Sequence, residues 1–210
     1  MMSYQSVNPV KVAVIDSGID HKHPDLDQAS FASSANRRDF TNLIWNNGVL
    51  TNPSGNVIPL TQLGYNDFHG THVAGIIAAL YNRTYTVCVA NNAPLMNLRA
   101  YPHPTDRTLC AAIYYAIQSN ARVINASWGT RVNASNPTVG SALKRAIDFA
   151  CSKGIVVVCA AGDNGVDVSQ YVPAGFDNVV SVGSAQKGIT ANTYLKSVAS
   201  NDGTNVISAP

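Results

Sequence analysis

The sequence predicts an α/β fold of three layers, in which a mostly parallel central sheet is covered by helices on both faces. Short runs that are almost wholly apolar are typical of strands buried on both faces. Segments with helical spacing of apolar residues alternate with these runs, as expected for a parallel sheet. The 210 residues are enough for one sizeable core, so we expect a single domain over residues 1–210.

The first predicted strand is Lys11–Asp16, an apolar run that ends before Ser17 and Gly18. Residues 21–68 are polar and irregular, and we interpret them as loop with short edge strands. The later apolar runs predict five more strands: Leu95–Leu98, Arg122–Ser127, Ile155–Ala160, Asn178–Val182 and one that begins at Asn205–Ile207.

Three helices are predicted between these strands. The first runs from His69 to about Leu80 and is composed largely of small and aliphatic residues. Its two glycines, Gly70 and Gly75, would each cost about 1 kcal/mol relative to alanine in a helix interior, which suggests that another group approaches the backbone closely. The second helix begins at Asp106, and the third covers Thr138–Ser152.

Polar residues lie at or just past the ends of three predicted strands: Asp16, Ser127 and Asp163. Functional groups in parallel sheets collect at the carboxyl ends of the strands, so these positions predict one site. His69 begins a helix, where an open loop meets a rigid element, and it is a candidate for chemistry. For His72 we expect only a structural role, as a histidine on a buried helix that finds a hydrogen-bond partner.

Composition excludes several classes of function. A net charge of +2 is too small to indicate nucleic acid or an acidic membrane surface as a partner. No apolar run approaches the length of a bilayer span. The four cysteines form no C-x-x-C pair, which argues against a zinc ribbon or thioredoxin chemistry and leaves disulfides open.

Three segments together resemble the subtilisin-like serine proteases, or subtilases. Val12–Asp20 resembles the catalytic-Asp segment of that family, His69–Gly75 its catalytic-His segment, and Asn125–Gly129 the strand that lines its substrate cleft. Their order and spacing match over nearly the whole chain. The resemblance implies a subtilisin-like fold and a serine endopeptidase that cleaves polypeptides through an Asp-His-Ser triad.

The resemblance makes Asp16 the residue that orients an imidazole and His69 the general base. The family's third catalytic segment, a Gly-Thr-Ser-Met-Ala-type stretch, does not occur here. The chain ends at Ile207–Pro210, which resembles the strand and turn upstream of that segment. We therefore expect a catalytic domain that is incomplete at its C-terminus, and an isolated chain that is inactive.

Asp163 stands where most relatives carry an asparagine that donates a hydrogen bond to the oxyanion. An ionised aspartate only accepts hydrogen bonds. Either Asp163 is protonated, Asn164 replaces it, the oxyanion hole is weak, or Asp163 is a structural turn residue. We expect a slower or acid-shifted enzyme.

The resemblance also implies substrate and metal contacts. The substrate backbone would pair with Ser127, Trp128 and Gly129, while Ala160, Ala161 and Gly162 would form the other wall of the first specificity pocket. A structural calcium ion would bind an all-oxygen set of ligands: the side chains of Asp25 and Asn82 and the carbonyls of Leu80, Thr84 and Thr86.

Two other functions stay open. A metal-dependent hydrolase could use histidines and an aspartate as ligands, namely His21, His23, Asp25, His69 and His72. Without a serine, the chain could also be an inactive, protease-like scaffold that binds a peptide or a partner. By family resemblance we expect a secreted or vesicular protein with a pro-segment inhibitor as a partner, although residues 1–5 show no signal peptide.

Overall fold

The computed structural model describes residues 9–27, 31, 33–41, 43–46, 49–51, 68–82, 84–132, 140–187 and 194–196. The chain divides into two compact units, residues 1–125 and 126–210. The strand predicted at Asn205–Ile207 lies outside the described residues. Within the described residues, no helix has both the length and the apolar character needed to cross a lipid bilayer.

The described residues of the first unit form six strands: β1 (Val12–Asp16), β2 (Arg37–Asp39), β3 (Ile44–Asn46), β4 (Val49–Thr51), β5 (Leu95–Arg99) and β6 (Val123–Ala126), whose last residue is past the boundary. Four of them form parallel pairs in the order β6-β1-β5-β2, and β3 and β4 form a short antiparallel hairpin. All five residues of β1 are buried, as its apolar sequence predicted.

Where the structure describes it, this unit also has two α-helices, α1 (His69–Ala78) and α2 (Asp106–Gln118), and a short 3-10 helix at Ser34–Asn36. Helix α1 ends two residues earlier than predicted because Ala79 adopts an extended backbone and bridges to Leu26. Helix α2 begins at the predicted Asp106, where a reciprocal cap fixes its start: the Thr105 hydroxyl accepts from the Thr108 N–H at 3.2 Å, and the Thr108 hydroxyl accepts from the Thr105 N–H at 2.8 Å.

The elements described in the second unit are β7 (Thr130–Arg131), α3 (Ser141–Ser152), β8 (Val156–Ala160), a short 3-10 helix (Val168–Gln170), β9 (Tyr171–Val172), β10 (Val180–Val182), β11 (Ala185–Lys187) and β12 (Tyr194–Lys196). Strands β8 and β10 are parallel, and α3 packs on β8. Helix α3 begins at Ser141 rather than at the predicted Thr138, because Gly140 precedes it in the left-handed conformation at φ +77°. The parallel strands and helices of both units confirm the predicted α/β class.

Side-chain alternation along β1 determines which residue faces α1. Val12 and Val14 pack in one core cluster with Ala74 and Ala78 of α1. Because side chains two residues apart in a strand point to the same face, Asp16 also faces this helix. The sequence of β1 therefore brings a carboxylate to the first turn of α1.

Gly70 allows the start of α1 to approach this carboxylate. A Cβ atom at position 70 would overlap the carbonyl oxygen of Gly18 and would lie 3.1 Å from the Asp16 Cβ and Oδ1 atoms. Gly75 lies one turn and a half further along the same helix, and a Cβ atom there would meet nothing within 4 Å. A close approach to the backbone, which the sequence suggested at both glycines, is therefore found at Gly70 and not at Gly75.

We predict opposite effects on stability for alanine at these two positions. Gly70→Ala should lower the free energy of unfolding by about 1–3 kcal/mol, since backbone atoms must shift to admit the methyl group. Gly75→Ala is the matched control and should raise it by about 0.5–1 kcal/mol, because alanine loses less backbone entropy in a helix. Urea unfolding followed by circular dichroism measures both values, and equal changes would contradict the close approach at Gly70.

Candidate active site

A carboxylate and an imidazole meet where β1 ends and α1 begins. The Nδ1 atom of His69 lies 2.8 Å from Oδ1 and 3.0 Å from Oδ2 of Asp16. The Asp16 side chain is 4% exposed and the His69 side chain 55% exposed. Because a carboxylate only accepts hydrogen bonds, the neutral ring carries its proton on Nδ1 and has its lone pair on Nε2. Such a ring can take up a proton from a nearby hydroxyl.

Ser17 connects the two sides of this pair. Its N–H donates to Oδ1 of Asp16 at 2.7 Å, and its hydroxyl accepts from the N–H of Gly70 at 3.1 Å. The residue after Asp16 is thus bonded to the residue after His69. A second link follows, in which the Asp20 N–H donates to the Thr71 hydroxyl at 2.9 Å. These bonds hold the loop after β1 against the first turn of α1.

Two charged residues that sequence analysis did not single out lie beside this loop. Arg99 donates from Nη1 to Oδ2 of Asp39 at 2.9 Å and from Nε to the Ser17 carbonyl at 3.2 Å. Only Arg99 could have been found from the sequence. It is a cation directly after the predicted strand Leu95–Leu98, and a cation there requires an anionic partner if the strand is buried. Sequence spacing does not reveal that the partner is Asp39.

The proposed substrate-contact residues lie in the second unit, with Tyr171 against one of them. Ser127, Trp128 and Gly129 are half-buried. The Tyr171 hydroxyl donates to the Gly129 carbonyl at 3.3 Å, and a Cβ atom at Gly129 would overlap the Tyr171 ring. Position 129 therefore requires glycine for a steric reason.

The second predicted wall follows the end of β8. Ala160 is half-buried, and Ala161 is fully buried with its N–H donating to the Val182 carbonyl at 2.9 Å. Gly162 has φ +90°, a conformation that favours glycine. The chain turns there, and Asp163 follows as an exposed residue.

Asp163 acts electrostatically on a neighbouring tyrosine. Burial raises the pKa of Tyr171, and the negative charge of Asp163 raises it further, since both disfavour the phenolate. Tyr171 therefore stays a neutral donor to Gly129 well above neutral pH. Sequence analysis named Asp163 but missed Tyr171, which lies eight positions further along the chain.

The expected calcium ligands come from two segments that hydrogen bonds join, one containing Asp25 and one after α1, and three of them already accept hydrogen bonds. Asp25 is buried and accepts from Asn82 Nδ2 at 3.0 Å and from the Thr86 N–H at 3.1 Å. Leu80 accepts at its carbonyl from the Asn82 N–H at 2.9 Å, and Asn82 Oδ1 accepts from the Thr84 N–H at 2.9 Å. The donor chemistry suits Ca²⁺. The ion would bind only if the Asn82 amide turned its oxygen towards Asp25.

The histidines considered for a metal-dependent hydrolase have other partners. His21 Nε2 lies 3.3 Å from Nη1 of Arg37, and burial followed by the Arg37 charge lowers the His21 pKa. His23 Nδ1 accepts from the Asp25 N–H at 3.2 Å. His72 is exposed, so the expectation that this histidine is buried is wrong. The described part of the chain contains no group of three or more His, Cys, Asp or Glu side chains that could hold a metal ion.

Comparisons with known proteins agree with the fold. The sequence model of the subtilase family matches residues 8–210. Subtilisin DY from Bacillus licheniformis is 36% identical over 187 residues, which is 86% of this chain and 58% of the relative. Subtilisin E from Bacillus subtilis (strain 168) is 38% identical over 186 residues, which is 83% of this chain and 40% of the relative.

Solved structures of serine proteases also resemble this chain in fold. The nisin leader peptidase NisP from Lactococcus lactis has a TM-score of 0.75 at 25% identity, covering 99% of this chain and 63% of that one. The epidermin leader peptide processing serine protease EpiP from Staphylococcus aureus has a TM-score of 0.71 at 27% identity, covering 94% of this chain and 50% of that one. The chain thus spans only part of the proteins it matches. The resemblance to subtilisins is confirmed, and the chain belongs to the subtilase family of subtilisin-like serine proteases.

Proposed function

We propose that this chain supplies the aspartate and histidine of a serine endopeptidase that hydrolyses peptide bonds through an Asp-His-Ser triad. The observation that carries the proposal is the 2.8 Å contact between the buried carboxylate of Asp16 and Nδ1 of the exposed His69. Asp16 keeps the imidazole in the Nδ1–H tautomer and stabilises its protonated form. His69 takes the proton of a serine hydroxyl at Nε2 and later gives it to the leaving amine.

The nucleophile is a separate part of the proposal. The 210 residues contain no Gly-Thr-Ser-Met-Ala-type segment, so we propose that these residues alone do not turn over peptides by this mechanism. The proposed catalytic unit forms when a serine-bearing segment accompanies them. A chain that never acquires such a segment would act as the alternative, an inactive scaffold that binds peptides or a partner.

The proposed substrate is a polypeptide, held by backbone pairing to Ser127, Trp128 and Gly129. Ala160, Ala161 and Gly162 would line the first specificity pocket, where their small size leaves room for a large side chain. Support comes from the family and from two structural neighbours, the leader peptide processing protease EpiP and the leader peptidase NisP. We further propose a secreted or vesicular location and a pro-segment that inhibits the enzyme.

The first test is peptide hydrolysis by the full-length protein that carries a serine segment. His69→Ala should lower kcat by about 10⁶-fold, as loss of the histidine does in subtilisin. Asp16→Asn should lower it by about 10⁴-fold, because the ring loses the acceptor that fixes its tautomer. Release of a chromogenic group from a peptide substrate measures these rates.

The matched control for this test is His72→Ala. It removes an exposed imidazole from the same helix, three residues beyond His69, and should leave kcat unchanged. Full activity in His69→Ala would contradict the catalytic assignment. Turnover by the 210-residue chain alone, abolished by His69→Ala, would contradict the separate proposal about the nucleophile.

The second test concerns Asp163, for which we propose the oxyanion-hole position. Asp163→Asn should raise kcat of the full-length enzyme, because an amide donates to the oxyanion whereas a carboxylate repels it. A single donor of this kind is worth about 10²–10³ in kcat in subtilisin, which sets the upper limit of the gain. Asp177→Asn, which also removes an exposed charge from the second unit, is the control. An unchanged kcat at every pH would dispose of the proposed role.

The third test concerns calcium, which we propose binds between Asp25 and the loop of Asn82 that follows α1. Binding would stabilise the folded chain by about 2.7 kcal/mol when free Ca²⁺ exceeds Kd about 100-fold. Addition of a chelator should therefore lower the unfolding midpoint by several degrees, since a domain of this size shifts by about 2–4 °C per kcal/mol. Calorimetry of the wild type and of Asp25→Asn measures the difference. An equal midpoint with and without chelator in the wild type would rule out the ion.

A further inference from the structure

Three charged side chains lie in one row across adjacent strands of the first unit. In the parallel register, Arg99 of β5 pairs with Asp16 of β1 on one side and with Asp39 of β2 on the other. Neighbouring strands are about 4.8 Å apart, and residues in register point to the same face. A cation therefore lies between two carboxylates, and one of these contacts His69.

The arginine forms its ion pair with only one of the two carboxylates. Its guanidinium donates to Asp39 at 2.9 Å, and the two side chains are 11% and 6% exposed. The other oxygen of Asp39 accepts from the N–H and the hydroxyl of Thr41 at 2.9 and 2.6 Å. Among the described residues, the partners of the Asp16 carboxylate are the Ser17 N–H and His69.

Removal of Asp39 would change this pairing. A buried guanidinium without an anion is costly, and arginine forms its strongest bonds with a carboxylate that it can contact through two N–H groups. The next carboxylate in the row is that of Asp16. A guanidinium that turned to Asp16 would compete with His69 for the same oxygens, and the imidazole would lose the acceptor that fixes its tautomer.

We propose that Asp39 is a positioning residue of the Asp16–His69 pair, because its carboxylate holds the Arg99 guanidinium and so leaves Asp16 to accept from the imidazole. The Arg99 bond to the Ser17 carbonyl fits this role, since it keeps the guanidinium against the backbone of the Asp16 loop while its charge is directed towards Asp39. As a step in catalysis this inference rests on the proposed function. The arrangement of charges itself does not.

The test is the tautomer of His69, read from its imidazole ¹⁵N chemical shifts in the purified protein at a pH where the ring is neutral. The spectrum of His69→Ala identifies the signals. We expect the Nδ1–H tautomer in the wild type. Asp39→Asn removes the charge of residue 39 with little change of shape. In this variant the Nδ1–H tautomer of His69 should give way to the Nε2–H tautomer. In the full-length enzyme the same variant should lower kcat towards the Asp16→Asn value and change KM little.

Two further variants separate positioning from a merely structural role. Asp39→Glu keeps the charge and should keep the Nδ1–H tautomer. The double variant Asp39→Asn with Arg99→Met removes both charges and should restore that tautomer, since no cation is left to compete for Asp16. Loss of the tautomer in the double variant as well would mean that Asp39 acts only through local structure, and would overturn the proposal.

An unchanged tautomer in folded Asp39→Asn would overturn it directly. If that variant does not fold, Asp39→Ser in sucrose, which favours the compact state, is measured in the same way with the same two outcomes.

The tautomer is read without any substrate. An active His69→Ala enzyme would therefore refute the proposed function and leave the charge arrangement standing, whereas a wild-type tautomer in Asp39→Asn would refute only the role of Asp39.

Discussion

The buried carboxylate of Asp16 is the constraint on which the candidate site depends. A charge removed from water must be hydrogen-bonded, and here the donors are the next residue in the chain and an imidazole on a helix. This helix reaches the carboxylate only because Gly70 has no side chain. The position of α1, the turn after β1 and the orientation of His69 are therefore consequences of one requirement, the solvation of a single anion by protein groups.

Two other aspartates of the first unit organise loops in the same way. Asp25 and Asp39 are 3% and 5% exposed, and each accepts a hydrogen bond from the backbone N–H of a loop residue, Thr86 and Thr41 respectively. Each also has a side-chain partner, Asn82 for Asp25 and Arg99 for Asp39. The low content of charged residues, 12%, thus understates their importance. The few acidic groups inside this unit determine how its loops are arranged.

Elements with a continuous apolar pattern were predictable from the sequence with their positions, whereas elements defined by partners distant in the chain could not be located. Strand β1 and the start of α2 agree with prediction because burial and a local cap determine them. Short edge strands were predicted within residues 21–68 but not located. Strand β2 is one of them, at the end of the strand order, and its three residues, two of them arginines, have no apolar pattern, so that only pairing with β5 locates it. The pair of Asp16 and His69 was predictable from motifs and strand ends. Its neighbour Asp39 was not, because register across β5 brings it there.

The parallel pairing of β1 has a consequence for how the chain acquires its structure. Val12 pairs with Leu95 and Val123, so β1 is synthesised before both partners and finds them only after more than 80 and more than 110 further residues have been made. Contacts so distant in sequence slow folding, and an apolar strand that is waiting for its partners is open to aggregation. The same topology that brings the charged residues to one edge of the sheet thus leaves β1 of the nascent chain unpaired, and at risk of aggregation, until β5 and β6 have been synthesised.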